Sequence, residues 1–397
     1  MESSAINKDK KIETAAGTVP ETKRKTAGTK APAADLPETA DPKKRVNDRV
    51  SFFVRLTLFA VLFGWLFVHV SYAKRPELAH SRNNVSGFYA EEKDSLDVVF
   101  IGTSGTMSSF MPMDAFEEYG FTSYNLCTNE MQVEGMLFAI HEMLKTQKPR
   151  LLVLDVRPFI VENSMYLLSR EDEGNANIRF NTDGYKYSPD RVRYIWQNLP
   201  HNIRILNYIF DIAKYHKEPL NLENWNGQYP FLYRGYNFLG WGDEINLPVQ
   251  TDEEMPIGEF WDAKLDELLD EAEKLDMDVL FLYYPYALSP LYPNALERVN
   301  YIERRVRERG FSFLDCEDHF EEYDLDVKLD FWNNGHFNVY GAKKITAWMA
   351  PYLASAYNLP DHREDPAYER WNADLRKWHR AVKKWKKTIK KASRKAS

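Results

Sequence analysis

Two short segments, far apart along the chain, contain residue types that can transfer an acyl group. The first is Val99-Phe-Ile-Gly-Thr-Ser104-Gly-Thr, in which a serine follows an apolar run and precedes Gly105. An open α/β sheet presents its nucleophile just past the carboxyl end of a strand. The flanking glycines permit a sharp turn whose backbone N–H groups can face an oxyanion, which makes Gly105 a candidate oxyanion donor. The alternative is an ordinary strand-to-helix turn in which a hydroxyl caps the helix.

The second segment runs from Asp330 to Thr346 and contains His336 on a glycine-containing stretch just before a predicted helix. A histidine in that position can be directed across the top of the sheet towards Ser104 and accept its proton. A nearby acid could hold the other ring nitrogen and fix the tautomer. Each segment alone is a weak signal, but the two together, in this order and at opposite ends of an α/β body, predict a serine and histidine pair.

The sequence at these two segments resembles the SGNH hydrolase superfamily, which is also called GDSL-like. The membrane-anchored branch fits best, as represented by the thioesterase-like protein of teichoic-acid D-alanylation and by the alginate O-acetylation proteins. The resemblance implies that Ser104 is the nucleophile and His336 the general base. It also implies that Asn129, or a backbone N–H near Thr128, contributes to the oxyanion site.

The sequence departs from the family pattern at the residue that orients the histidine. The superfamily usually has Asp three residues before the histidine, and this chain has Asn333 there. Asp330 is the nearest acid, and we favour it because only a carboxylate stabilises the imidazolium. Asn333 could instead take the role, as Asn does in Cys-His-Asn enzymes. A third alternative is impaired catalysis, because replacing the orienting Asp by Asn in a Ser-His-Asp protease costs about 10⁴ in rate.

The resemblance implies an extracytoplasmic serine esterase or acyltransferase. It would act on acyl esters, for example acetyl esters, of a cell-surface polysaccharide or wall polymer. The acyl-serine would pass its acyl group to water or to a sugar hydroxyl, and no metal or other cofactor is needed. A multi-spanning O-acyltransferase is the implied partner. The alternative function is a catalytically inactive protein of the same fold that binds the polymer or serves as a scaffold.

The elements that must position these residues alternate between strands and helices. The predicted strands are Asp97–Gly102, Ser123–Cys127, Arg150–Val156, Asp278–Tyr284 and Ser312–Cys316. The predicted helices are Gln132–Thr146, Thr251–Leu275, Asn294–Arg309 and Tyr340–Tyr357. Nearly continuous apolar strands are typical of parallel sheets that are covered on both faces. The pattern predicts an α/β fold, a three-layer sandwich of the SGNH or flavodoxin-like type with a mostly parallel sheet.

The N-terminal part of the chain predicts a tail followed by one membrane span. Residues 1–50 contain no aromatic residue, and we expect them to be disordered. Residues 51–73 include 18 residues without a formal charge, which span about 27 Å as a helix. A cleavable signal peptide is the alternative, but the polar lead and the apolar stretch are both long for one. More cations precede the span than follow it, which predicts a cytoplasmic N-terminus and an extracytoplasmic domain over 74–365.

Two further segments have distinctive compositions. The insert over about 157–250 is rich in aromatics, and these either form a sugar-binding platform or, as we favour, fill a satellite core. Residues 366–397 hold 12 Lys or Arg against two acidic residues and predict an amphipathic helix in an anionic membrane interface. The alternatives are docking on an anionic wall polymer or a partner helix, or a solvated tail. Its apolar positions are Trp371, Leu375, Trp378, Val382, Trp385 and Ile389.

Charge and cysteine content argue against a nucleic-acid function and against a cysteine-held metal site. Residues 51–365 contain 49 acidic residues against 29 basic ones, and an acidic body of this kind repels nucleic-acid phosphates. The two cysteines, Cys127 and Cys316, lack the clustered spacing of a zinc or iron–sulfur site. The sequence leaves open whether they form one disulfide.

Overall fold

The computed structural model describes residues 42–75, 80–160, 178–199, 204–229, 231–242, 244–285 and 294–396. Contacts divide the chain into two units, Met1–Ala60 and Val61–Ser397. Most of the tail predicted to be disordered, residues 1–41, lies outside the described residues.

A five-stranded parallel sheet forms the centre of the second unit. Its strands are β1 (Val98–Gly102), β2 (Ser123–Cys127), β3 (Leu151–Asp155), β4 (Asp278–Tyr283) and β5 (Ser312–Asp315). They are ordered β2-β1-β3-β4-β5, and every neighbouring pair is parallel. The strands are almost entirely buried, as expected for apolar runs in a parallel sheet. The predicted α/β class with a parallel sheet is therefore confirmed.

Helices connect the strands and flank them along the chain. The helices of the described residues include α1 (Pro42–Ala73), α2 (His80–Phe88), α3 (Ser104–Ser109), α4 (Pro112–Tyr119), α5 (Val133–Met143), α6 (Pro189–Asn198), α7 (Leu206–Ile209), α8 (Asp211–Tyr215), α9 (Glu259–Ala272), α10 (Ala295–Glu308), α11 (Val339–Ala356) and α12 (Glu369–Ala396). A short antiparallel hairpin, β6 (Phe331–Asn333) and β7 (His336–Phe337), precedes α11.

Helix α9 begins later than predicted, at Glu259 instead of Thr251. Pro256 has no backbone N–H and disfavours helical geometry at the residue before it. Gly258 then has a φ of +88°, which is outside the right-handed helical region. The acidic stretch that precedes Pro256 lies instead along α10, where Asn300 donates its side-chain amide to the carbonyls of Thr251 and Glu253.

Helix α1 is long and apolar enough over Val46–Ala73 to cross a membrane, and it is the one helix of the described residues with that property. It begins at Pro42, so residues 42–50 are helical although the sequence predicted disorder through residue 50. Proline is favoured in the first turn of a helix, and Lys43, Lys44 and Arg45 after it are good helix formers that continue into the apolar segment.

The C-terminal helix α12 corrects a prediction. Its apolar side is not presented to a membrane, because Trp371, Trp378 and Ile389 are buried against the protein itself. The rings of Tyr236 and Phe238 lie 5.7 and 5.2 Å from that of Trp378. These insert aromatics pack beneath α12 as part of the same buried core as the sheet residues, and not as the separate satellite core that the sequence favoured. Cys127 and Cys316 are both buried free thiols, and burial raises the pKa of each well above its usual value.

Candidate active site

Ser104 lies immediately past the carboxyl end of β1, as the first residue of α3. Thr103 caps that helix, and its Oγ1 accepts a hydrogen bond from the Gly105 N–H at 3.3 Å. Asp155, at the end of the neighbouring strand β3, holds this turn in place with its side chain. Its Oδ2 accepts bonds from Thr103 N, Thr103 Oγ1 and Thr106 Oγ1 at 3.2, 2.8 and 2.8 Å. The turn that presents the serine is therefore fixed by a buried carboxylate.

The hairpin β6–β7 brings His336 to the same serine. Nε2 of His336 lies 2.7 Å from Oγ of Ser104, across 232 residues of sequence. Arg157 fixes the hairpin from the sheet side, because its Nη1 donates to the carbonyl of Gly335 at 2.8 Å. The structure thus brings the two predicted residues within hydrogen-bond reach of each other.

Asn333 is the residue that contacts the other ring nitrogen of His336. Its Oδ1 lies 2.8 Å from Nδ1 of His336 and also accepts the N–H of Gly335 at 2.9 Å. A backbone N–H can only donate, so the Asn333 atom at this position must be the oxygen. An oxygen acceptor requires the proton on Nδ1. Nε2 is then left unprotonated and able to accept the proton of Ser104, which is the tautomer that a general base needs.

Asp330 lies elsewhere, which corrects the preference for it as the orienting acid. Its Oδ2 accepts from Lys344 Nζ at 2.8 Å and from the Asp326 N–H at 2.7 Å. Its backbone carbonyl accepts the Asn338 N–H at 2.9 Å. The carboxylate is fully buried, and this burial raises its pKa, whereas Lys344 lowers it. Asp330 therefore holds the loop before the hairpin, while Asn333 takes the position three residues before the histidine.

Burial and the nearby Arg157 guanidinium lower the pKa of His336 to about 3. Desolvation is the larger cause, because it penalises the charged imidazolium. The histidine is therefore neutral at physiological pH and available as a base. Arg157 is held close to the nucleophile turn, and a Cβ at Gly105 would overlap its guanidinium. Because position 105 is glycine, there is space for the Arg157 guanidinium beside the turn.

The candidate oxyanion residues lie at the same end of the sheet. In the β1–β2 register Gly102 is opposite Cys127, so the loops that carry Ser104 and Asn129 leave adjacent strands side by side. Asn129 is half-buried there. The Gly105 N–H contributes to the cap on Thr103, but its 3.3 Å bond is long enough to be exchanged for a stronger acceptor. The register thus supports Asn129 as a neighbour of the nucleophile.

Sequence reasoning missed three residues of this site: Asp155, Arg157 and Trp332. Asp155 ends an otherwise apolar buried strand, and an acid in that position, followed closely by Arg157, was the available signal. Trp332 is 41% exposed, and its ring lies 5.6 Å from that of His336 in an edge-to-face arrangement. Its signal was an aromatic beside the histidine segment, with no apolar periodicity to place it in the core.

A separate group of three acidic residues, Glu303, Asp315 and Asp318, brings carboxylate oxygens within 4.8 Å of one another. Glu303 is paired with Arg307 at 2.6 Å, and Asp315 accepts the Glu317 N–H at 2.8 Å. Burial, with Asp318 as the next cause, raises the pKa of Asp315 to about 7. With these protein partners, we assign no metal to the group.

Comparison with protein-family models and with curated proteins finds no significant match for this sequence.

Proposed function

We propose that this protein is a serine esterase or acyltransferase of the SGNH type. It would act outside the cytoplasm on acyl esters, such as acetyl esters, of a cell-surface polysaccharide or wall polymer. The observation that carries the proposal is the 2.7 Å contact between Ser104 Oγ and His336 Nε2, with Asn333 Oδ1 on the other ring nitrogen. Ser104 is then the nucleophile, His336 the base and Asn333 the residue that orients the base, which is the arrangement that acyl transfer requires.

The reaction would proceed in two halves. Ser104 Oγ attacks the ester carbonyl while its proton passes to Nε2 of His336, and Asn129 and the turn N–H groups stabilise the oxyanion. His336 then returns the proton to the departing alcohol, which leaves an acyl-serine. Water or a sugar hydroxyl attacks this ester and gives its proton to Nε2, which passes it to the departing Oγ of Ser104 and so restores both groups. The exposed ring of Trp332 offers a surface on which a sugar can stack beside the base.

The wider architecture of the proposal is a three-layer sandwich. In the order β2-β1-β3-β4-β5, strand β2 lies on one side of β1, and β3, β4 and β5 follow in turn on its other side. The chain therefore reverses its direction across the sheet after β2. Because parallel crossovers are almost always right-handed, such a reversal puts helices on both faces. Ligands bind at the switch point of these folds, beyond the carboxyl ends of strands such as β1 and β3. Ser104 and Asp155 are at those two strand ends.

In the same proposal, α1 anchors the protein in the membrane. The N-terminus then lies in the cytoplasm and the α/β domain lies outside it. The supporting observations are the apolar Val46–Ala73 helix and the excess of Lys and Arg before it. A multi-spanning O-acyltransferase that delivers acyl groups across the membrane would be its partner.

One observation favours a second function, that of an inactive binding or scaffold protein. Asn333 has no charge to stabilise an imidazolium, and the pKa of His336 is already lowered to about 3. A base with so little affinity for a proton drives proton transfer weakly. In this alternative the fold is retained for binding polymer or a partner.

A fluorophosphonate probe separates the two functions. It forms a covalent bond to an activated serine, so an enzyme is labelled, and Ser104→Ala abolishes the labelling. Ser355→Ala, at an exposed position of α11, is the matched control and should label like the wild type. A folded protein that stays unlabelled over a range of pH, but still binds the polymer, would support the scaffold function instead.

A further inference from the structure

The segment that follows α6 exposes large apolar side chains beside the end of α1. They are exposed by between 38% and 68% of their surface, and they include Leu206, Phe210, Leu220 and Leu222. We call these four residues the apolar collar. Single exposed apolar residues are common on protein surfaces, but a group of them beside one element indicates a surface that is covered.

The collar segment is attached directly to the last two turns of α1. The ring of Phe210 lies 5.5 Å from that of Phe67, and His69 Nδ1 donates to the Trp225 carbonyl at 2.8 Å. The Asn221 N–H donates to the Ala73 carbonyl at 2.7 Å. These contacts hold Phe210, Leu220 and Leu222 at a fixed height along α1.

A buried ion-pair network makes this attachment rigid. Arg75, two residues after the end of α1, is paired with Asp211 at 2.6 Å, and Asp211 is also paired with Arg191 at 2.9 Å. All three side chains are fully buried. Buried charges paired in this way resist separation, since removing one partner leaves an uncompensated charge. The collar therefore cannot swing away from α1 at small cost.

The length of α1 indicates what covers the collar. Its apolar residues are exposed from Phe52 to Leu66, residues 67–70 are half-buried and residues 71–73 are buried. The uncharged run Leu56–Ala73 covers about 27 Å, close to the hydrocarbon core of about 30 Å, and Arg49 and Arg55 precede it. The span therefore includes residues 67–70. Phe210 contacts Phe67, and Asn221, between Leu220 and Leu222, bonds to Ala73, so the collar segment lies at the depth of the outer headgroup and acyl boundary.

We infer that the apolar collar is a lipid-contact surface that rests in the outer interface of the membrane. It would give the domain one fixed orientation on the bilayer instead of a free swing on a tether. Aromatic side chains at the same height fit this assignment, because Trp65 and Trp225 pack together there and tryptophan is enriched at membrane interfaces. The inference rests on the proposed membrane anchoring by α1.

The test places an environment-sensitive thiol-reactive bimane on single introduced cysteines of the full-length protein in phosphatidylcholine nanodiscs. The test positions are Leu220→Cys and Leu222→Cys, on either side of the residue that bonds to Ala73. Leu62→Cys reports on the span, and Val249→Cys is the control for an apolar residue away from the collar. Val249 is 88% exposed, and its neighbour Gln250 bonds to the Glu317 carbonyl beyond β5. The native cysteines are buried, so the parent protein measures background labelling.

Quenching by lipid spin-labelled near the headgroup is the readout. We expect the two collar positions to be quenched at least threefold more than Val249→Cys, while Leu62→Cys is quenched most by a label deep in the acyl chain. Collar positions no more quenched than Val249→Cys, with Leu62→Cys still quenched, would overturn the collar and leave the anchor intact. An unquenched Leu62→Cys would overturn the anchoring proposal, and the collar with it.

Discussion

Asn333 Oδ1 lies 2.8 Å from Nδ1 of His336, and the backbone N–H of Gly335 fixes that atom as oxygen. In a serine protease whose orienting Asp is replaced by Asn, the lost rate comes from the wrong tautomer. Here the hairpin excludes the wrong tautomer. If the Asn333 amide were flipped, its NH₂ group would face the backbone N–H of Gly335, which is also a donor. What the asparagine lacks is charge, so the arrangement retains orientation and gives up stabilisation of the imidazolium.

We predict that Asn333→Asp raises kcat of the esterase reaction by about tenfold or more. The carboxylate would still accept both N–H groups and would stabilise the imidazolium that forms during attack. Asn333→Leu should lower kcat by about 100-fold, because nothing then fixes the tautomer. The measurement is steady-state hydrolysis of p-nitrophenyl acetate. A lower rate for Asn333→Asp than for the wild type, with the fold unchanged by circular dichroism, would contradict this account of the asparagine.

We predict an unusually acidic lower limb in the pH profile of kcat/KM. The pKa of His336 is lowered from 6.5 to about 3, so the base stays neutral and active well below pH 6.5. Arg157→Gln removes a cation that disfavours the imidazolium, and the acid limb should move to higher pH. The movement is partial, since burial is the larger cause. Arg193→Gln, at an exposed position, is the control and should leave the limb in place.

The same lowered pKa has a defined effect on stability. Between about pH 3 and 6.5 the unfolded chain protonates His336 and the folded protein does not. Protons therefore favour the unfolded state, and this residue makes the free energy of unfolding fall as the pH drops through that window. An NMR titration of the His336 ring measures the pKa directly. A midpoint near 6.5 in the wild type would refute both expectations.

Asp155 should be essential for the nucleophile turn and for stability. Asp155→Ala leaves the Thr103 and Thr106 donors without their acceptor, and each buried donor left unpaired costs about 1–3 kcal/mol. We expect the free energy of unfolding to fall by at least about 3 kcal/mol in a urea titration. Asp155→Asn keeps one accepting oxygen and should lose less. Equal stability of wild type and Asp155→Ala would show that the turn is held by other contacts.

The sequence predicted the parts of this structure that follow from local pattern. Apolar runs located the five strands to within a residue or two, and the strand-end rule placed Ser104 where it is found. The orienting residue could not be read in the same way, because the choice between Asp330 and Asn333 depends on a backbone N–H, that of Gly335, whose position only the folded hairpin defines. Asp155 was missed for a different reason. Its strand was interpreted only as part of the buried core, so its carboxylate was not considered as part of the site.

The C-terminal helix shows a related limit. The spacing of Trp371, Trp378 and Ile389 requires that one side be covered, but it does not identify the cover. A membrane interface and the protein's own insert both satisfy that pattern. In the folded protein the cover is the insert. Tyr236 and Phe238, which lie more than 130 residues earlier in the sequence, pack on Trp378.

This docking predicts that Trp378 stabilises the domain without any lipid. Its side chain is fully buried, and its Nε1 donates to Asp114 Oδ1 at 2.6 Å. Trp378→Ala should lower the free energy of unfolding by about 3–5 kcal/mol, the usual cost of emptying a buried aromatic site. Trp196→Ala, at a position 68% exposed, should change it by less than about 0.5 kcal/mol. Both are measured by urea denaturation in detergent. Should Trp378→Ala lose stability only in the presence of anionic vesicles, α12 would have to be a membrane element after all.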